Sequence, residues 1–184
     1  AAWDVEGATG GVGRSHEKTE FAGIGTVPPG CYAIARHGEV RFYPYWDWEI
    51  PTAEQMKRDT RSEAEVVEDF RQALLDSVRQ RLVADVEVAS YLSGGIDSCA
   101  VLGLAQQSTS RPIRAFTLTF ENPLYDEARI AEAQARHVGA SFHPIPITGR
   151  EIADAYADAV WHSEAQMFNG HGVAKYLLSR AVRD

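Results

Sequence analysis

The sequence predicts an α/β domain, a parallel sheet with helices on both faces, preceded by a β-hairpin. Three observations carry this. From residue 62 onward, helix-like and strand-like runs alternate, an order that builds a helix-covered parallel sheet. The strand-like runs are rich in β-branched and aromatic residues. The first of them ends in Ser93-Gly94-Gly95-Ile96-Asp97-Ser98, a glycine-rich crossover at the carboxyl end of a strand, where open α/β sheets gather ligands.

Residues 1–20 are polar and glycine-rich without periodicity and read as loop. Their "GGVG" is no phosphate loop, because no strand precedes it. Cys31–Ala35 and Val40–Tyr43 flank His37-Gly38 as a hairpin. Tyr43, Tyr45, Trp46 and Trp48 read as core or interface packing rather than a ligand platform. Pro51 and "TAEQMKRDT" read as a linker. Ser62 with Glu65 forms a capping-box pattern opening a helix. Val66, Phe70, Leu74, Val78 and Leu82 supply its apolar stripe, widened by Val67 and Leu75. Glu68, Asp69, Arg71, Arg79 and Arg81 form its solvated face. Val86–Leu92 reads as a strand, Ser98–Gln107 as a helix and Ile113–Phe120 as the next strand. Asp126 is placed to cap a helix through Val138, with Gly139 as its stop. Ser141–Ile147 is a strand whose prolines place it near a sheet edge. Ile152–Trp161 and Val173–Val182 read as helices.

Composition narrows the function. With 18 basic and 26 acidic side chains the formal net charge is −8 over 184 residues, which argues against nucleic acid or an anionic membrane as partner. Cys31 and Cys99 form no CxxC pair, so zinc and thioredoxin-like readings lack support, and Cys99 reads as a small buried hydrophobe. This usage, with no signal peptide and no apolar run long enough to span a bilayer, leads us to expect a cytoplasmic protein.

The crossover has its own chemistry. Two glycines let the backbone approach an anion with its N–H groups inward. The following helix presents its positive end there, and Ser93 and Ser98 add hydroxyls. A carboxylate beside phosphate would be repelled by several kcal/mol at ~4 Å. Asp97 therefore implies a divalent cation, Mg²⁺, between the two. The segment is neither a Walker A loop nor a G-x-G-x-x-G fingerprint.

"LSGGIDS" resembles the pyrophosphate loop of the N-type ATP pyrophosphatases, and the wider pattern resembles glutamine-hydrolysing asparagine synthetases. Three further stretches are similar to that family: "VPPGCYAIARHGEVRFYPYWDWEIP", "AFTLTFENPLYDEARIAEAQARHVGASFHPIPIT" and "AKYLLSRAVRD". The resemblance runs from about Phe21 to Asp184. It implies an adenine nucleotide alpha hydrolase-like fold in residues 62–184, a linker at 51–61, and in 1–50 the end of a glutaminase-type domain. It also implies the chemistry: ATP activates a carboxylic acid, aspartate or another, as an acyl-adenylate, and ammonia displaces AMP. Ser93, Gly94, Gly95 and Ser98 would hold pyrophosphate, Asp97 would hold Mg²⁺, and the backbones of Leu92 and Leu118 would contact adenosine. Asp126-Glu127 is similar to the family's acidic pair. Asp126 stands equally for a helix cap or a site residue, and Glu127 reads as serving the helix.

The chain departs from the family in three places. Ala1 stands at the start, where the family's glutaminase has a nucleophilic cysteine. The family continues past the stretch that ends here at Asp184 into an S/T-G-E-G-x-D-E motif, which these 184 residues do not contain. The residues that would grip aspartate are not evident in "WHSEAQMFNGHGVAKY", where His162, Glu164, Asn169 and His171 could form another acceptor site. The expectation is a chain truncated at both ends and inactive alone, in which Val86–Leu92 exposes an apolar edge open to a homo-oligomeric partner. The expected small-molecule partners are a carboxylic acid and ammonia or glutamine. Two alternatives stand beside this: a related adenylating synthetase of β-lactam-synthetase type, and a non-catalytic nucleotide-binding module.

Overall fold

The computed structural model describes Thr19 and residues 21–183. The loop expected over 1–20 therefore lies, apart from Thr19, outside the described residues. The chain divides into two compact units, 1–60 and 61–184.

In the first unit, β1 (Cys31–Arg36) and β2 (Glu39–Pro44) form an antiparallel hairpin in which Arg36 pairs with Glu39. The turn residues His37 and Gly38 both have positive φ, 52° and 82°, as a two-residue hairpin of type I′ requires. Tyr32 and Tyr43 stack across the strands at 5.3 Å, and Trp46 meets Trp48 edge-on at 4.9 Å. The aromatic cluster is not a core among the described residues. Tyr45 and Trp48 remain 70% and 77% exposed, because the hairpin offers them only each other and their neighbours. The expected linker carries a short helix, α1 (Ala53–Lys57), opened by a capping box between Thr52 and Gln55.

The second unit opens with α2 (Glu63–Arg81), capped as expected by Ser62 and Glu65. Its stripe is buried only toward the C-terminal half. Leu75 and Val78 are buried, whereas Val66, Val67 and Phe70 are exposed. Then come β3 (Ser90–Tyr91), α3 (Ile96–Gln107), β4 (Arg114–Phe120), α4 (Ala128–Val138) and β5 (Ser141–Ile147). The three strands are parallel, in the order β3-β4-β5. Pro144 and Pro146 sit on β5, an edge strand that can spare one row of N–H groups.

The first strand is much shorter than Val86–Leu92. Ser90 pairs with Ala115 and Tyr91 with Phe116. Extending that register backward would bring Glu87 opposite Pro112, which has no N–H to donate. Val86 is accordingly exposed, and Glu87 pairs instead with the Arg114 guanidinium at 3.8 Å.

The expected helix over 152–161 is two, α5 (Gly149–Asp154) and α6 (Tyr156–Ser163), separated by Ala155 at φ −85°, ψ 0°. The last helix is α7 (Gly170–Arg183). Helices cover both faces. On one, Val78, Leu102, Ala105, Ala131 and Ala135 pack with Leu92 and Ala115, and Cys99 joins them as a small hydrophobe. On the other, Ala155, Ala159, Val173 and Leu177 pack with Leu118, Phe120 and Ile145. Side chains alternate along β4, so Ala115 and Thr117 face α3 and α4, while Phe116, Leu118 and Phe120 face α7. No helix among the described residues is long and apolar enough to cross a membrane.

Candidate functional site

The site begins where β3 ends. Leu92 N–H donates to the Phe116 carbonyl at 2.9 Å. The Leu92 carbonyl accepts from the buried Thr117 hydroxyl at 2.7 Å. With both backbone groups satisfied, the strand end is fixed and the loop leaves from a defined point.

Gly94 then turns the chain with φ +79°. A β-carbon there would lie 3.3 Å from the Glu127 carbonyl oxygen and 3.4 Å from the Ala131 nitrogen. Only glycine both adopts this conformation cheaply and lets the loop press against the start of α4. Gly95 is the N-cap of α3 and, having no side chain, makes no side-chain cap. The hydroxyls of Ser93 and Ser98 are 3.0 Å apart. Ser93 Oγ accepts from Gly95 N–H at 3.3 Å, and Ser98 Oγ accepts from Ser93 N–H at 3.2 Å and donates to the Gly95 carbonyl at 3.0 Å. The long N–H bonds are weak. They keep the loop's donors gathered over the N-terminus of a 12-residue helix, whose dipole favours an anion there.

Asp97 sits in the first turn of α3, exposed and without a hydrogen-bonding or ion-pair partner among the described residues. Among those residues no group of three or more His, Cys, Asp or Glu is placed to hold a metal. A lone free carboxylate still fits Mg²⁺, which is commonly held by one or two carboxylates with substrate phosphates and water completing its shell.

Beside the loop lies an open cleft of about 400 Å³ at the carboxyl ends of β3 and β4. Leu92, Ser93 and Ser98 form one side and Phe116, Leu118 and Phe120 its floor. Lys175 and Leu178 of α7 also line the cleft, with Tyr125 and Glu127 from the segment before α4. Of the residues expected from sequence, Leu92, Ser93, Ser98 and Leu118 line this cleft. Gly94, Gly95 and Asp97 belong to the adjoining turn and helix start instead.

Phe116 and Phe120 escaped the sequence reading, although two-residue alternation from Leu118 points to them. Lys175 carries no such signal, since a lysine on an amphipathic helix looks like any solvated charge. The acidic pair is divided differently from expectation. Asp126 accepts from Ala128 N–H at 3.4 Å and serves the backbone. Glu127 is the N-cap position of α4 but makes no side-chain cap, and it lines the cleft. The helix starts one residue later than an Asp126 cap would set it.

None of His162, Glu164, Asn169 and His171 lines the cleft. The His162 ring stacks on Tyr176 at 5.4 Å. Glu164 closes α6 in a left-handed conformation. Asn169 accepts from His171 N–H at 3.0 Å and so holds the start of α7.

The family model for asparagine synthase matches residues 69–184, well over half the chain. The relatives agree with it. The protein named Amidase chyE of Penicillium rubens is 39% identical across 92% of this chain and 27% of its own length. Amidase chry2 of Gibberella zeae is 36% identical over the same shares. The glutamine-hydrolysing asparagine synthetase B of Escherichia coli is 27% identical across 87% of this chain and 30% of its own. The chain thus spans between a quarter and a third of the length of these relatives. Its α/β unit, its glycine-turn loop and the family match agree, and the chain belongs to the asparagine synthase family.

Proposed function

We propose that the chain is the nucleotide-binding part of an ATP-dependent amide-forming ligase, with ATP seated in the cleft between the Ser93–Ser98 loop and α7. The observation that supports this most is the loop itself. Its glycine turn, clustered hydroxyls and following helix end gather anion-binding groups beside an apolar, aromatic-floored cleft. In this reading Ser93, Gly94, Gly95 and Ser98 hold the pyrophosphate portion, and the Leu92 and Leu118 segments flank adenosine. Mg²⁺ on Asp97 would offset phosphate charge.

The acid's carboxylate oxygen attacks the α-phosphorus, and the bond to the bridging oxygen breaks. Pyrophosphate leaves with the electron pair. Ammonia, free or derived from glutamine, then attacks the acyl carbon, and AMP departs with the former carboxylate oxygen. The loop donors stabilise charge developing on the pyrophosphate.

The acceptor is a carboxylic acid that becomes an amide. Two relatives named amidase share more of this sequence than the Escherichia coli asparagine synthetase does, which supports a reading of the acceptor as a class of carboxylic acids not restricted to aspartate. The remaining proposed partner is a strand or second copy that pairs with the edge of β3 left open among the described residues.

The test is product analysis on the full natural chain with Mg-ATP, ammonium, and L-aspartate or a panel of small carboxylic acids. Acid-dependent formation of AMP and pyrophosphate supports the reading. ADP and phosphate as products would overturn it, and so would a chain that binds Mg-ATP but gives no acid-dependent turnover.

A further inference from the structure

Lys175 stands on α7 inside the cleft and is the one positively charged residue among the described residues that line it. It has no hydrogen-bonding or ion-pair partner for its ammonium among those residues. Glu127 lines the same cleft, yet no ion pair joins the two. The helix is not placed loosely there. The Tyr91 hydroxyl on β3 lies 3.0 Å from the Ser179 hydroxyl, and Ser179 Oγ also donates to the Lys175 carbonyl one turn earlier at 2.8 Å. Tyr91 and Ser179 thus tie the Lys175 turn of α7 to the strand that feeds the loop. Leu178 of the same helix adds apolar wall.

We infer that Lys175 is a specificity-determining residue of this cleft, donating from α7 to a phosphate oxygen of the nucleotide whose phosphates Ser93 and Ser98 also hold. This rests on the nucleotide reading above. A lysine ammonium is a compact point charge with three donors, suited to phosphate without a fixed fork geometry. The unpaired cation and the loop hydroxyls line one cleft, so an anionic group bound there can be shared by both. The apolar floor supplies no such discrimination, since it contacts only the uncharged part of the ligand.

The test compares adenosine, AMP and Mg-ATP as calorimetric ligands for the full natural chain and for Lys175→Gln and Lys175→Arg. Both replacements suit a helix surface and keep the fold. Loss of one charged hydrogen bond should weaken a phosphate-bearing ligand about tenfold or more. Adenosine should bind wild type and Lys175→Gln alike, the phosphorylated ligands should weaken in Lys175→Gln, and Lys175→Arg should recover most of the loss. Equal affinity of Mg-ATP and AMP for wild type and Lys175→Gln would overturn the assignment while leaving the nucleotide reading intact. Equal weakening of all three ligands would also overturn it, as a structural effect. A wild type that binds none of the three refutes the nucleotide reading itself, and the assignment falls with it.

Discussion

Replacing Gly94 by alanine separates a backbone requirement from a packing requirement. Gly94 has φ +79°, and an L-residue there costs about 1–2 kcal/mol. The stiffer unfolded chain returns about 0.4–1 kcal/mol of that. Gly139, which ends α4 at φ +76°, carries the same conformational cost but has nothing within 4 Å of an added β-carbon. Gly139→Ala should therefore cost only about 0.5–1 kcal/mol. At Gly94 the added carbon also meets backbone atoms of Glu127 and Ala131 at 3.3–3.4 Å, and forced repacking adds roughly 1–3 kcal/mol. The expected total is about 1.5–4 kcal/mol, or a fall in Tm of roughly 3–16 °C for a chain of this size. Urea denaturation of the two variants reads the difference. Mg-ATP titration should show weaker binding by Gly94→Ala and unchanged binding by Gly139→Ala. Two variants equally destabilised, both binding Mg-ATP like wild type, would refute the close approach of this loop to α4 as a requirement of the site.

Three further outcomes are expected. Thr117→Val keeps side-chain volume but leaves the buried Leu92 carbonyl without its 2.7 Å donor, so it should cost about 1–3 kcal/mol in denaturant melts. Ser62→Ala removes the acceptor for Glu65 N–H and one side of the α2 capping box, a loss of about 1 kcal/mol, visible as a lower urea midpoint at unchanged slope. The third concerns acid. The Thr148 backbone N–H and hydroxyl, each 2.8 Å from the Glu151 carboxylate, hold that group below its ordinary 4.5. A depressed carboxyl stabilises the fold fully above its unfolded value and loses that contribution as pH falls through the folded one. Tm followed from about pH 6 to pH 3 should therefore fall less steeply in Glu151→Gln than in wild type. Parallel curves would show that the α5 cap contributes nothing to acid stability.

The parts of the fold that local chemistry decides were legible. The Ser62 cap, the Gly139 stop, the His37-Gly38 hairpin turn and the Ser141–Ile147 edge strand each depend on residues within a few positions of one another. The parts decided by neighbours were not. Val86–Val88 looks like strand, but pairing fails because the facing position is Pro112, information carried some twenty-five residues away. Phe70 belongs to a convincing helical stripe, yet it is 68% exposed because the described residues bury only the later turns of α2. The split at Ala155 has no glycine or proline to announce it. The α1 helix did carry a signal, the Thr52/Gln55 capping box, inside a stretch whose polarity read as linker. At the site, the loop was readable because phosphate chemistry demands a recognisable set of small and hydroxyl residues. The floor and the α7 wall were not, since they are ordinary aromatic, leucine and lysine positions until the sheet and helix bring them together.

The most direct measurement is calorimetric titration of Mg-ATP into the full natural chain and its Asp97→Ala variant, each repeated with EDTA. At about 100 times its dissociation constant a bound ligand adds ~2.7 kcal/mol of stability, so a parallel thermal melt reports the same event. The account predicts binding by wild type that depends on Mg²⁺, with Asp97→Ala weaker by at least about tenfold and insensitive to EDTA. Equal affinity for both proteins, or wild-type binding indifferent to the metal, would contradict the placing of Asp97 and its loop at the phosphates.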